Sequence, residues 1–374
     1  MNREIIQPGK TIGIIGGGQL GRMMALAAKE AGFRIIVLDP TNDCPCGQVA
    51  DEQITAGYDD LQALEHLAKK CDVITFEFEN IDYESLLSLS RIAHVPQGAE
   101  IIRITQDRII EKNTLVASGV KVAPFKVIHS EVEMNKGIQE LGFPCVLKTS
   151  RGGYDGKGQQ VIQCADDRIK AKKLLEYGAC VLESWVEFEK EISVIVTRNA
   201  NGDMECFPVG ENIHVDNILY QTIVPARINK HIEVAAFQLA EKIAEHIELI
   251  GTLAVEMFLT ADGQIFVNEL APRPHNSGHY SIEACDFSQF DQHIRAICNW
   301  PIKSPSLLKP VVMVNILGQH VEKLMEQISL QSEWSIHLYG KSQAKYQRKM
   351  GHITVLTDNI ERTLSQLNDS GIWK

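Results

Sequence analysis

The chain has 374 residues, 44% of them hydrophobic and 23% charged, which is enough for two or three domains at roughly 150 residues each. With 37 Lys and Arg against 48 Asp and Glu, its formal charge is −11 and no basic block offsets it, which argues against a nucleic-acid backbone or an anionic membrane as partner. No stretch approaches the roughly 20 apolar residues of a membrane span, the opening segment lacks the apolar core of a secretory signal, and nine scattered cysteines without a CxxC pair suit a reducing compartment, so a cytoplasmic protein is expected.

Strand and helix alternate over the first hundred residues. Thr11–Ile15 reads as a strand, Arg22–Glu30 as a helix, Arg34–Leu38 as a strand, Leu61–Lys70 as a helix, Val73–Phe76 as a strand and Tyr83–Ile92 as a helix. That order predicts a parallel sheet covered by helices. After Val95-Pro96-Gln97-Gly98 the pattern changes. Ile104–Ser118 reads as one helix and Val122–Ile128 as extended, followed by strands at Cys145–Thr149, Gln159–Ile162 and Val181–Trp185, with a helix over Asp166–Glu176. Ile192–Asn199 and Met204–Val209 suggest antiparallel strands, Lys230–Ile247 a long amphipathic helix, and Thr252–Glu269 a hairpin. Beyond the prolines of 303–310, a small α+β unit is expected, with strands at Val311–Ile316, Ser335–Leu338 and His352–Leu356 and helices at Val321–Ile328 and Glu361–Leu367. The predicted division is 1–100, 101–300 and 301–374.

Five places concentrate chemistry. Gly16-Gly17-Gly18-Gln19-Leu20-Gly21 lies between a strand and a helix, with Asp39 ending the next strand, and matches a dinucleotide fingerprint. The same turn serves any phosphate-bearing ligand, or none. Glu77-Phe78-Glu79-Asn80 follows the third strand, where open α/β sheets bind ligands; the two carboxylates face that crevice or are merely solvated. Thr149–Gly158 carries four glycines with Arg151 and Lys157, directly after Lys148. It is not a Walker loop, but backbone N–H groups and ammonium groups together suit a lid over a polyphosphate; a plain surface hairpin is the alternative. Lys341 and Arg348-Lys349 are basic residues that grip a phosphate or are solvated.

The fifth place is the hairpin. Asp262-Gly263 is a favoured two-residue turn, which pairs Ala261 with Gln264. Carried down the strands, that register sets Glu256 opposite Glu269, with Cβ atoms about 5 Å apart on one face. Like charges so placed need compensation, and Mg2+ fits, with Asn268 as a further oxygen. Arg273, His275 and Asn276 follow in a proline-stiffened loop, too irregular for a zinc helix and suited to positioning a substrate.

Together these features resemble the ATP-grasp superfamily, and most closely its 5-(carboxyamino)imidazole ribonucleotide synthase family, ATP-dependent carboxylating enzymes of purine synthesis. The matching residues run the whole chain: GGGQLG at Gly16–Gly21, FEFEN at Phe76–Asn80, Gln106-Asp107-Arg108, Lys148, GGYDGKG at Gly152–Gly158, Glu183–Val186, NELAPRPHNSGHY at Asn268–Tyr280, Tyr339-Gly340-Lys341 and RKMGH at Arg348–His352. The resemblance implies an N-terminal α/β domain with a parallel sheet, a central ATP-grasp domain with a mobile lid over about 122–186, and a small C-terminal α+β domain. It implies that Arg108, Lys148, Gly153, Tyr154, Asp155, Gly156, Lys157, Gly158, Gln159, Glu183, Ser184, Trp185, Val186, Glu191, His214, Asn268 and Glu269 surround ATP. Glu256 and Glu269 would hold magnesium. Gln19, Leu20, Glu79, Asn276, Lys341 and Arg348 would bind aminoimidazole ribonucleotide. Bicarbonate would be activated by ATP as carboxyphosphate, with Arg273, His275, Tyr154 and Asp155 acting on the reactants. Arg273 would grip bicarbonate bidentately, and a near-neutral His275 or Asp155 would take the amine proton. The family also implies a homodimer. Competing readings are a formate-dependent glycinamide ribonucleotide transformylase, a nicotinamide-dependent oxidoreductase built on Gly16–Asp39, and a catalytically silent nucleotide-binding module.

Overall fold

The structure is a computed structural model and describes residues 4–153 and 156–373. It begins with β1 (Thr11–Ile15), α1 (Gln19–Glu30), β2 (Arg34–Leu38), β3 (Glu52–Ile54), α2 (Leu61–Lys70), β4 (Val73–Phe76) and α3 (Tyr83–Leu89). The four strands form a wholly parallel sheet in the order β3-β2-β1-β4, as the alternation predicts. β1 is paired on both sides and buries Ile12, Ile14 and Ile15, which is why it reads as a continuous apolar run. Only β3 had no signal; Glu52-Gln53-Ile54 is too short and polar to show a period.

Next come α4 (Glu100–Thr105) and α5 (Arg108–Ala117), where one helix was expected. The break has a local cause. Asp107 is extended and caps α5 through the Ile109 N–H (3.0 Å), while the Gln106 amide reaches back to the Glu79 and Ile81 carbonyls. A small antiparallel sheet follows, ordered β5-β8-β6-β7, from β5 (Phe125–Ile128), α6 (Glu131–Leu141), β6 (Cys145–Thr149), β7 (Gln159–Ile162), α7 (Arg168–Ala171) and β8 (Cys180–Ser184). The helix expected over Asp166–Glu176 is α for one turn only, with 3₁₀ turns on either side.

The third sheet has nine strands. Its first part is β9 (Lys190–Arg198), β10 (Met204–Cys206), β11 (Gly210–Val215), β12 (Ile218–Val224), α8 (Lys230–His246), β13 (Gly251–Leu259), β14 (Ile265–Ala271), α9 (Ser281–Ala284) and α10 (Gln289–Ile297). β11 and β12, unseen in the sequence, turn on Asp216 and Asn217, both at positive φ. β15 (Val311–Leu317), α11 (Val321–Gln327), β16 (Ser335–Leu338), β17 (Lys349–Leu356) and α12 (Ile360–Asp369) complete the chain. The order is β14-β13-β9-β11-β12-β15-β17-β16, with β10 beside β9. The C-terminal strands therefore extend the central sheet through the β12–β15 ladder, Gln221 opposite Val314 to Val224 opposite Val311. Among the described residues no helix is long and apolar enough to cross a membrane.

α10 joins the chain's two halves. Its Ser288/Asp291 capping box fixes its start, and Phe290, Ile294 and Ile297 enter the same apolar cluster as Met23, Met24 and Ile35 of the first hundred residues. Phe290 is 2% exposed. Phe290→Ala is expected to cost about 3–5 kcal/mol, read as a lower midpoint of urea unfolding followed by far-UV circular dichroism.

Candidate functional site

The two antiparallel sheets face each other across a cavity of about 580 Å3, with α5 and the end of β4 closing one side. Most of the expected nucleotide ligands line it: Arg108, Lys148, Gly153, Gly156, Lys157, Gln159, Glu183–Val186, Glu191, His214, Asn268 and Glu269. Gly158 lies just outside, where its carbonyl accepts from the Thr149 N–H and its positive φ requires glycine. Tyr154 and Asp155, expected to act on the reactants, lie outside the described residues.

One wall is cationic. Lys148 Nζ bonds Glu183 Oε2 (3.1 Å), and Lys112 Nζ lies 3.4 Å from the same oxygen. Burial holds the Lys148 ammonium below its ordinary pKa, against the pull of Glu183. Arg108 Nη1 reaches Glu269 Oε2 at 3.3 Å. Glu191 and His214, on the neighbouring strands β9 and β11, form their own pair at 3.1 Å; burial disfavours a charged imidazole, but the Glu191 carboxylate outweighs it and raises the His214 pKa. Phe188 and Phe258 stack 4.6 Å apart beside Trp185, giving the cavity an apolar end that fits a flat base.

The carboxylate pair is where the sequence places it, by a different route. Glu256 is opposite Glu269. The turn, however, is a three-residue loop closed by Thr260 and Gln264, with Gly263 at φ 81°, which shifts the register by one residue. At the tip Leu259 pairs with Ile265 and Met257 with Val267; a bulge at Asn268 then shifts it back. Burial and then the Glu269 charge push the Glu256 carboxyl up to about 8. Asn268 Oδ1 is buried and has no hydrogen-bond partner among the described residues. Two facing carboxylates and an unpartnered amide oxygen make an all-oxygen donor set that fits a hard divalent cation, with phosphate oxygens and water completing its shell.

The loop after β14 carries the remaining groups. Arg273 is bound side-on by Glu79, Nε to Oε2 at 2.7 Å and Nη2 to Oε1 at 3.3 Å. Its Nε–Nη2 edge is thus taken, Nη1 also donates to the Pro274 carbonyl (3.4 Å), and the Nη1–Nη2 end is the one turned away from Glu79. His275 Nε2 lies 3.2 Å from Glu256 Oε1 and its Nδ1 meets Ser277 Oγ at 2.9 Å. The near-neutral pKa expected for it is overturned: burial, then Arg273, pushes it far down, so this imidazole is neutral and suited to orienting rather than holding a proton. Asn276 Oδ1 accepts from Gln19 Nε2 (2.9 Å), and Gln19 Oε1 accepts from Lys341 Nζ (2.6 Å). Burial, then Arg348, lowers the Lys341 pKa to about 8. Arg348 itself donates to the Gln343 carbonyl, and Leu20 is packed into the core of the first domain.

The glycine-rich turn is not a dinucleotide site. Glu77 inserts its own carboxylate at the start of α1 and accepts from the Gly18 and Gly21 N–H groups. Asp39 turns inward to the Gly17 N–H (2.7 Å) and the Tyr58 hydroxyl (2.6 Å). A Cβ on Gly21 would stand 2.6 Å from the Gly16 carbonyl oxygen, so that glycine is required by close packing. The protein's own acids occupy the anion hole that a pyrophosphate would need.

Sequence reasoning missed Glu111, Lys112, Phe188, Phe258 and the cavity-lining role of Lys349. Phe258 had a signal, since it stands two residues from Glu256 on the same face of β13. Glu111 and Lys112 had none, because adjacent charges on a helix read as solvent-facing. Burial pushes the Glu111 carboxyl up to about 7, against Arg108.

Family models match three successive segments: a ribonucleotide synthetase preATP-grasp domain at 9–106, an ATP-grasp domain at 113–290, and a phosphoribosylaminoimidazole carboxylase C-terminal domain at 311–366. The chain is 52% identical over 369 residues to N5-carboxyaminoimidazole ribonucleotide synthase of Bacillus subtilis, covering 99% of this chain and 97% of that one. Its structure superposes on an ADP complex of an N5-carboxyaminoimidazole ribonucleotide synthetase with a TM-score of 0.98 at 56% identity, covering 100% and 99% of the two chains. It also superposes on the Aspergillus clavatus synthase in complex with ADP and 5-aminoimidazole ribonucleotide, with a TM-score of 0.90 at 32% identity, covering 96% and 97%. A cavity with a cationic wall, an apolar end and facing carboxylates, in a chain matched end to end, assigns this protein to the N5-carboxyaminoimidazole ribonucleotide synthase family of ATP-grasp ligases.

Proposed function

We propose that this chain carboxylates 5-aminoimidazole ribonucleotide at the expense of ATP, giving 5-(carboxyamino)imidazole ribonucleotide, ADP and phosphate in purine biosynthesis. The observation that carries this reading is how one loop spans two sites. His275 touches Glu256 of the carboxylate pair, and the next residue, Asn276, bonds Gln19, which in turn bonds Lys341, so the loop joins a polyphosphate cavity to a cationic side chain beside the first domain. An ATP-consuming step on a phosphorylated second substrate needs both ends.

Adenine is taken by the apolar end at Trp185, Phe188 and Phe258, the phosphates by Arg108, Lys148 and Lys157. Magnesium bound by Glu256 and Glu269, with Asn268 beside them, supplies neutralisation of the phosphate charge. Bicarbonate oxygen attacks the γ-phosphorus, the bond to the ADP oxygen breaks, and carboxyphosphate results. The substrate amine then bonds to its carbon, phosphate leaves, and the amine gives up one proton. Arg273, fixed by Glu79, offers the guanidinium end turned away from Glu79 to the anion as charge develops. Neutral His275 orients the reactants; Asp155 is the proposed proton acceptor, with Tyr154 beside it. Lys341 and Arg348 hold the ribonucleotide phosphate, while Gln19 and Asn276 align the ring. The small sheet, over about 122–186, serves as the lid that excludes water from carboxyphosphate. Nine free thiols suit a reducing compartment, and we place the reaction in the cytoplasm.

ADP release measured with bicarbonate plus aminoimidazole ribonucleotide, with formate plus glycinamide ribonucleotide, and with neither tests the reading. Turnover is expected in the first mixture alone, and turnover with formate would replace it by the transformylase. Arg273→Lys is expected to lower kcat on the order of a hundredfold with the KM for ATP little changed, because lysine lacks a second donor edge once Glu79 is satisfied. A third outcome concerns pH. The Lys341 ammonium is charged below about 8 and neutral above it. The substrate phosphate, with a second pKa of about 6, stays dianionic across that window. Affinity for aminoimidazole ribonucleotide should therefore fall as pH rises from 7 to 9, and Lys341→Arg should flatten the profile, as read by titration calorimetry.

A further inference from the structure

β14 is the last strand of the nine-stranded sheet, so among the described residues one side of its backbone meets no further strand, only an isolated bridge from Val122 to Val267. That side faces α5 and its flanking chain, which supply the missing partners one by one. The Val267 N–H donates to the Lys121 carbonyl (2.8 Å), Lys112 Nζ donates to the Asn268 carbonyl (3.0 Å), and the Leu270 N–H donates to Glu111 Oε1 (2.8 Å). These contacts bracket the bulge at Asn268. The bulge decides the face on which Glu269 emerges: without the extra residue, the register at the hairpin tip pairs Glu256 with Asn268 and turns Glu269 to the other side. Lys112 and Glu111 are both buried, at 0% and 2% exposure. Burying two charges on adjacent helical positions is costly, and an apolar pair would pack α5 with less penalty. Lys112 also touches Glu183, which holds Lys148 on the opposite wall.

We infer that Glu111 and Lys112 are positioning residues of the metal centre: they hold the backbone on either side of Glu269 and so keep the bulge that turns its carboxylate toward Glu256. Through Glu183, Lys112 ties the same strand to the phosphate-side Lys148. This rests on the reading of Glu256 and Glu269 as the metal ligands.

The test uses Mn2+ as probe on the full-length, ADP-saturated protein, with its dissociation constant read from the electron paramagnetic resonance signal of the free ion. Glu111→Leu, which removes the acceptor but fills the space, is expected to weaken Mn2+ binding about tenfold or more. The affinity for ADP in EDTA should be unchanged. Glu111→Gln keeps an oxygen for the Leu270 N–H and is expected to restore Mn2+ binding. Should Glu111→Leu fail to fold, Lys112→Met carries the same expectation at the Asn268 carbonyl. Wild-type Mn2+ affinity in the folded Leu or Met variant, or a loss in Glu111→Gln as large as in Glu111→Leu, overturns the inference. Undiminished Mn2+ binding in Glu269→Gln would instead bring down the ligand assignment itself.

Discussion

Glu256 and Glu269 face each other across the last ladder of a nine-stranded sheet, and the cavity is organised around their repulsion. Uncompensated, the pair keeps a proton, as the upward displacement of Glu256 to about 8 records. Arg108 reaches Glu269 from one side and neutral His275 reaches Glu256 from the other, but neither places a full positive charge between the two. Two facing carboxylates in so buried a place would favour a cation between them. The surrounding wall is charged and buried for a related reason: each polar group removed from water there is held by another, as Lys148 is by Glu183 and the Leu270 N–H by Glu111.

The parts of this design that were legible in the sequence are those carried by local pattern. Apolar runs gave β1, β2 and β4; the long amphipathic period gave α8; the lysines and glycines around Gly152–Gly158 marked residues that line the cavity. What stayed hidden depends on partners far along the chain. The pairing of Glu256 with Glu269 was reached from a two-residue turn that does not form; the three-residue loop and the bulge at Asn268 are each one residue off that expectation, and they cancel. Glu111 and Lys112 look like any solvated helical pair until β14 is laid against them. The state of His275 is likewise tertiary, set by its burial and by an arginine two residues away whose own direction depends on Glu79.

The first domain shows how one motif can be reused. Gly16–Gly21 has the spacing of a pyrophosphate turn, but the acid that fills it comes from β4's end within the same domain. Glu77 thereby ties α1 to the strand that also delivers Glu79, so the helix carrying Gln19 and the carboxylate steering Arg273 are set by one buried anion. Burial raises the pKa of Glu77 while the two N–H groups of α1 lower it, so helix and acid stabilise one another.

The continuity of the large sheet has a mechanical consequence. β14, which bears Glu269, and β17, which begins at Lys349, whose carbonyl accepts from the Lys341 ammonium, belong to one hydrogen-bonded surface. Moving one against the other would mean breaking ladders. The β5-β8-β6-β7 sheet shares no ladder with it and is joined to it by the chain before β5 and after β8. The small sheet is held instead through α5, by the buried Lys112–Glu183 pair and the Arg108 N–H on the Ser150 carbonyl, so a few side-chain and loop contacts, rather than a ladder, set its position against the large sheet.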